Sequence, residues 1–303
     1  QSNDRTAPSL LALPPPAGCG LNCRSLPDSG YGVLAPDQNC LAAPELEAGD
    51  AIHLFCEQPG NAQPRLESTI PLPGKIVRSI WQDDAVFSLS RNGILRVFDT
   101  ADRRRPVWSG QLRLPGELHD LDWLEPYYLL VAAGSAGMHV VSVEDLARPR
   151  KVAQLVLPDH LQSLSLVRDV LVDGQRAFLA LGRNGLNVVD VSDPLQPRVL
   201  RGVDTSGYSS ALTVFDGLLF AAVNRQGVFV VDLGDGSDWL PVGPLDTPVR
   251  ASELAAAADR LVVAGGQSGI GQLALPRKLD IRVARDGLAR IELPEDLAPG
   301  EYR

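Results

Sequence analysis

The chain has 303 residues and is 45% hydrophobic, enough to bury a sizeable core as one large repeat domain or two ordinary ones. Its formal charge of −9 argues against a nucleic-acid binder, which needs a basic stripe to displace counterions; only Arg103-Arg104-Arg105 offers a local one, and that triplet reads as a solvated turn tip. No apolar run approaches the ~18 residues of a membrane-spanning helix, and 28 Gly with 24 Pro favour many short strands and turns.

Residues 1–50 differ from the rest. Pro14-Pro15-Pro16 is a stiff extended spacer. Ser9-Leu10-Leu11-Ala12-Leu13 is too short for a secretory hydrophobic region with its flanks. Pro16-Ala17-Gly18-Cys19 has the outline of a lipoprotein cleavage site, but Pro16 stands where an aliphatic residue belongs. All four cysteines, Cys19, Cys23, Cys40 and Cys56, lie at this end. An even count in a loop-rich segment predicts two disulfides and an oxidising compartment, so an extracytoplasmic location: secreted, periplasmic or cell surface. Three pairings are open. Free thiols and zinc are the alternatives, and Cys19-x3-Cys23 makes a poor zinc knuckle.

From Gly49 a repeat begins. Its opening glycines are Gly49, Gly93, Gly137, Gly185, Gly227 and Gly269, at steps of 44, 44, 48, 42 and 42 residues. Each precedes an alternating apolar phrase, such as Leu186-Asn187-Val188-Val189-Asp190, then a polar turn. The first four copies continue into a Pro-Arg or Arg-Pro pair: Pro64-Arg65, Arg105-Pro106, Pro149-Arg150 and Pro197-Arg198. That pattern predicts two antiparallel strands and a tight connection. Upstream lie wholly apolar runs, such as Tyr128-Leu129-Leu130-Val131-Ala132, as expected of strands covered on both faces. A further strand is predicted before each of these, at residues 76–81, 118–123, 161–167, 210–215 and 249–254. Ala-rich residues 252–260 are the best helical competitor, but they occupy a strand position in the repeat and are read as strand.

Four strands in each unit of about 44 residues are the signature of a β-propeller blade. The expected fold is therefore all-β: a propeller over residues 51–277 behind a disulfide-containing extension, 1–50. Five blades are favoured, the last completed by an outer strand from around 65–72, which closes the ring and removes its edges. Six is the alternative, if residues 30–74 build a blade of their own. Residues 278–303 hold a linker and a hairpin with an Asp286-Gly287 turn, read as the opening of an immunoglobulin-like sandwich. The start at Gln1 and the stop at Arg303 lead us to expect a piece of a longer polypeptide.

Gly185-Leu186-Asn187-Val188-Val189-Asp190-Val191-Ser192-Asp193-Pro194 resembles the LVIVD repeat of bacterial and archaeal proteins, with looser copies from Gly93 and Gly227. The resemblance spans roughly residues 50–275. It implies a β-propeller, commonly inside large surface or secreted proteins beside immunoglobulin-like modules, and no catalytic residues. Ser142 and Phe55-Cys56 depart from the usual acid. In this pattern Gly permits a positive φ, and Asp99, Asp190 and Asp232 accept backbone N–H groups in the turns that follow.

Chemistry-bearing residues are sparse. His53, His119, His139 and His160 lie in different units and share no metal-ligand spacing, and Asp232-x2-Asp235-x2-Asp238 does not match an EF-hand. No nucleophile elbow, phosphate loop or zinc-protease motif is present, so no cofactor, metal or catalytic residue is assigned. The residues expected to face a central channel are Arg78, His119, Asp120, Gln162, Ser209 and Arg250. The favoured function is a non-catalytic interaction or scaffold module of a large exported bacterial protein, binding a protein or glycan partner, or neighbouring domains, through its loop faces. The alternatives are a structural domain of a secreted toxin or adhesin, and a propeller hydrolase or lyase using His119 and Asp120.

Overall fold

A computed structural model describes residues 34–35, 40–44, 51–58, 61–72, 74–157, 166–233, 240–245, 247, 250–257, 260–265, 270–274, 281–283 and 289–291. Among them there are strands and no helix; none, therefore, forms a helix long and apolar enough to cross a membrane. The first sheet is β1 (Leu34–Ala35), β2 (Cys40–Pro44), β3 (Ala51–Gln58) and β4 (Asn61–Pro71). The second is β5 (Ile76–Gln82), β6 (Ala85–Ser90), β7 (Ile94–Asp99) and β8 (Val107–Arg113). The third is β9 (Asp120–Leu124), β10 (Tyr128–Ala132), β11 (Met138–Ser142) and β12 (Arg150–Leu155), and the fourth β13 (Asp169–Asp173), β14 (Arg176–Ala180), β15 (Leu186–Asp190) and β16 (Arg198–Val203). The fifth is β17 (Ala211–Phe215), β18 (Leu218–Ala222), β19 (Val228–Asp232) and β20 (Leu240–Leu245). The sixth has three strands, β21 (Glu253–Ala257), β22 (Arg260–Ala264) and β23 (Ile270–Ala274), and a separate hairpin joins β24 (Ile281–Val283) to β25 (Ala289–Ile291).

Each sheet is an antiparallel meander in chain order. The predicted Ala-rich strand is β21, because Ala255 pairs with Val262 across a hairpin that a helix would destroy. Two expectations are corrected. The segment expected to complete the last blade is β4; it pairs with β3 as the outer strand of the first sheet, and among the described residues it does not pair with the sixth. The described residues thus form six sheets of three or four strands besides the two-stranded hairpin, and no N-terminal strand pairs with the sixth to close a ring. The inner strand of the fourth sheet is β13, not 161–167. Asp173 pairs with Arg176 across a two-residue Gly174-Gln175 turn, and residues 161–165 lie outside the described residues.

The glycine positions carry the predicted conformation. Gly93, Gly137, Gly185 and Gly227 have φ of +83°, +84°, +68° and +81°. At Gly137, Gly185 and Gly227 a Cβ would also strike the carbonyl oxygens of Leu155, Val203 and Leu245 at the end of each outer strand. Gly49 and Gly269 lie outside the described residues. In the first five sheets the third and fourth strands share a register shift at one position, as between Val188 and Val189. Such a bulge twists the outer strand and blunts an edge that would otherwise template further pairing.

Apolar side chains fill the spaces between consecutive sheets. Ile52, Leu54, Trp81 and Phe98 join the first to the second; Phe87, Leu95, Leu129 and Val141 join the second to the third. Leu130, Val140, Leu179 and Val189 continue the stack, then Phe178, Val188, Leu219 and Val231, then Phe220, Val230, Leu254 and Val263. Each such side chain, when fully buried, contributes about 1.5–3 kcal/mol. This is why β10, β14 and β18 read as unbroken apolar runs.

Backbone bridges reinforce the stack. Gly134 pairs with Val167, Gly182 with Ser209 and Asn224 with Ala251, each linking a turn of one sheet to the approach of the next inner strand. Arg104 reaches Glu67 at 3.4 Å, and the Arg103 carbonyl accepts a hydrogen bond from Ser68, so the basic turn docks on the first sheet. Cys56 is buried, and its register partner on the neighbouring strand is Cys40. Cys19 and Cys23 lie outside the described residues.

Candidate functional site

The inner strands β5, β9, β13, β17 and β21 are successive neighbours, and a cavity of about 70 Å³ opens where their N-terminal ends converge. Its polar lining is Arg78, His119, Asp120, Arg168, Asp169, Ser210 and Glu253, with Val77, Ala211 and Leu212 completing the wall. Asp120, Asp169 and Glu253 each open an inner strand opposite an alanine of the next strand, Ala132, Ala180 and Ala264. Those small partners fit the crowding of several sheets at one point.

Three acidic groups tie sheet to sheet. Asp120 accepts a hydrogen bond from the Val170 N–H at 3.3 Å and Asp122 from that of Val172 at 2.8 Å. Asp169 accepts one from Leu212 N–H at 2.6 Å. Ser210 continues the series by donating to the Ser252 carbonyl at 2.8 Å.

Arg78 supplies the countercharge. Its Nε lies 2.7 Å from Asp120 Oδ1, with side chains 15% and 6% exposed. Burial works against the guanidinium charge, but Asp120, Asp169, Glu253 and Asp122 together outweigh it and raise the Arg78 pKa. Asp169 is pushed well above the usual carboxylate range, first by burial and then by the charge of Asp120 and a hydrogen bond shared with it. The charged form of Asp169 is thus disfavoured relative to that of an exposed aspartate. His119 is shifted down, by burial and then by Arg168, against the opposing pull of Glu117. Arg168 lies over the Tyr208 ring at 5.9 Å.

Of the residues expected to line a channel, the structure brings together Arg78, His119 and Asp120. Ser209 does not line the cavity. It is fully buried in the bridge to Gly182, its hydroxyl 2.8 Å from that of Thr205, because strand alternation gives the cavity position to Ser210. Arg250 is exposed beside the Ala251 bridge and outside the cavity lining. Gln162 lies outside the described residues. Sequence reasoning missed Arg168, Asp169, Ser210 and Glu253. The available signal was positional, an acid opening the inner strand in three repeats, and misplacing the inner strands of the fourth sheet and of the sixth, expected at 249–254 and found at Glu253–Ala257, hid it.

The histidines stay apart. His139 is fully buried with Nε2 2.8 Å from the Pro115 carbonyl, and burial lowers its pKa, so the neutral ring donates there. His53 Nδ1 is 3.0 Å from the Thr69 hydroxyl, and His160 lies outside the described residues. Among the described residues no three His, Cys, Asp or Glu side chains are grouped to hold a metal ion. Asp99 and Asp190 accept backbone N–H bonds from Ala101 and Ser192, the predicted turn role. Asp232 ends β19 at the matching place; Asp235 and Asp238 lie outside the described residues.

Comparison with known proteins fits this architecture. Residues 166–205, which hold β13 to β16, match the LVIVD repeat. No curated protein matches the chain in sequence. Among solved structures, a provisionally assigned 6-phosphogluconolactonase from Bacteroides uniformis superposes with a TM-score of 0.68 at 12% identity, covering 85% of this chain and 82% of that one. The computationally designed Ika8 protein gives 0.58 at 13% identity, covering 81% and 71%. Saccharomyces cerevisiae Sqt1 gives 0.54 at 9% identity, covering 81% and 74%. At these identities the likeness is one of fold, and that fold is propeller-like.

Proposed function

We propose that this chain, an LVIVD-repeat stack of four-stranded sheets, is a non-catalytic β-propeller module that presents its loop faces to a protein or glycan partner. In this reading each of the six sheets is a blade, and residues 278–303 open an immunoglobulin-like neighbour. The observation that supports a non-catalytic role is the use made of the inner-strand acids. Asp120, Asp122 and Asp169 accept backbone N–H groups from the adjoining sheet and so act as fasteners. A general base would instead need free reach to a substrate proton.

The test is a glycan array and a panel of ester, glycoside and lyase substrates, run side by side. Saturable glycan binding without turnover fits the module. Turnover that disappears in a His119→Ala, Asp120→Ala double variant overturns it in favour of a hydrolase or lyase. An exported setting is part of the proposal. It is supported by Cys40 standing opposite Cys56 in register and by the bonded state of Cys56. Peptide mapping under non-reducing conditions should recover a Cys40–Cys56 cross-link, and recovery of both as alkylated thiols would refute it.

A further inference from the structure

Buried polar atoms are almost always hydrogen-bonded. Among the described residues ten buried side-chain atoms lack a hydrogen-bond partner, and four of them belong to the cavity lining: Arg78 Nε, His119 Nε2, Asp120 Oδ1 and Arg168 Nε. Arg78 and Asp120 answer each other as an ion pair at 2.7 Å without an aligned hydrogen bond. His119 Nε2 has only Glu117 Oε2 at 3.8 Å, and Arg168 has the Tyr208 ring face. Two donors without a hydrogen-bond partner, His119 Nε2 and Arg168 Nε, thus belong to the lining where five inner strands meet, in a cavity with room for about five water-sized groups.

We propose that this cavity binds a small hydroxycarboxylic acid of about five non-hydrogen atoms, its carboxylate held by Arg168 and His119 and its hydroxyl donating to Asp120. The mixed lining selects this chemistry. Arg78 and Arg168 oppose a metal cation. Asp120 and Glu253 oppose a dianion such as phosphate. A neutral diol leaves the Arg168 guanidinium without a countercharge. A monoanion with an adjacent donor satisfies both signs, and a planar guanidinium suits a carboxylate. The proposal does not require a macromolecular partner on the loop faces, so its failure leaves that reading standing.

The test is calorimetric titration of the full chain with glycolate, against acetate, ethylene glycol and inorganic phosphate. Glycolate should bind once per chain, at least tenfold more tightly than the other three. Arg168→Gln should weaken it at least tenfold, while Arg183→Gln on an exposed turn leaves it unchanged. Proton NMR of the histidine rings supplies a readout that needs no variant: on titration the His119 resonances should move and those of buried His139 should not. Absence of saturable glycolate binding, equal binding of ethylene glycol, tighter binding of phosphate, retention of affinity in Arg168→Gln, or a still His119 spectrum each overturns the proposal and leaves a water-filled cavity.

Discussion

Two carboxyl groups in this chain respond to pH in opposite directions. Asp169 has its folded-state pKa raised, so the native state holds a proton that the unfolded chain releases. Its contribution is complete below about 4, the unfolded value, and is lost as pH rises toward the folded one. Asp169→Asn keeps an acceptor for Leu212 and removes the charge. Its melting temperature should exceed that of the parent at pH 8, and the gain should vanish near pH 4. Asp169→Ala instead leaves that buried N–H unmet and should lose about 1–3 kcal/mol in denaturant titration. Asp190 behaves in the other sense. Hydrogen bonds from Ser192 and the partner Arg198 hold its pKa at about 2. Its contribution is present above about 4 and is lost as pH falls through about 2. Arg198→Ala should move the Asp190 carboxyl titration upward in an NMR pH series. A melting curve alone will not resolve so exposed a pair. Arg78→Ala leaves Asp120 buried without its countercharge, and a loss of about 3–5 kcal/mol is expected.

At the scale of the strand and turn, glycine separates two kinds of cost. Gly174 has φ of +58° and open space around it, whereas Gly185 has φ of +68° and faces the Val203 carbonyl at close range. Gly174→Ala should therefore cost only the left-handed backbone penalty, about 1 kcal/mol. Gly185→Ala should cost more, because the end of β16 must also move; equilibrium unfolding of the two variants checks the order. The turns themselves were readable in the sequence. Asp190 and Asp99 bond to N–H groups two residues on, a contact that local spacing alone dictates. The inner strand of the fourth sheet was less legible. The extra residues in the 48-residue step come before β13, and Asp173-Gly174, the better hairpin signal, sits after it.

Across the molecule, stability is passed from sheet to sheet. Each core cluster spans two consecutive sheets, and the Gly134, Gly182 and Asn224 bridges repeat the link in backbone hydrogen bonds. In such a stack the middle sheets have two neighbours and should open last. Hydrogen exchange should find the amides of Val167 and Ser209, which close two of these bridges, protected nearly as well as those of β10 and β14. Sequence by itself determined the four-stranded unit, its glycines, its capped turns and the LVIVD repeat, because alternation, positive φ and Asx turns act over a few residues. Only the tertiary structure decided that β4 serves the first sheet, that Ser210 and not Ser209 meets the cavity, and that Arg78 faces acids from the third, fourth and sixth sheets. Those contacts join residues far apart in the chain, and a repeat of strands does not state how its copies turn about a common centre.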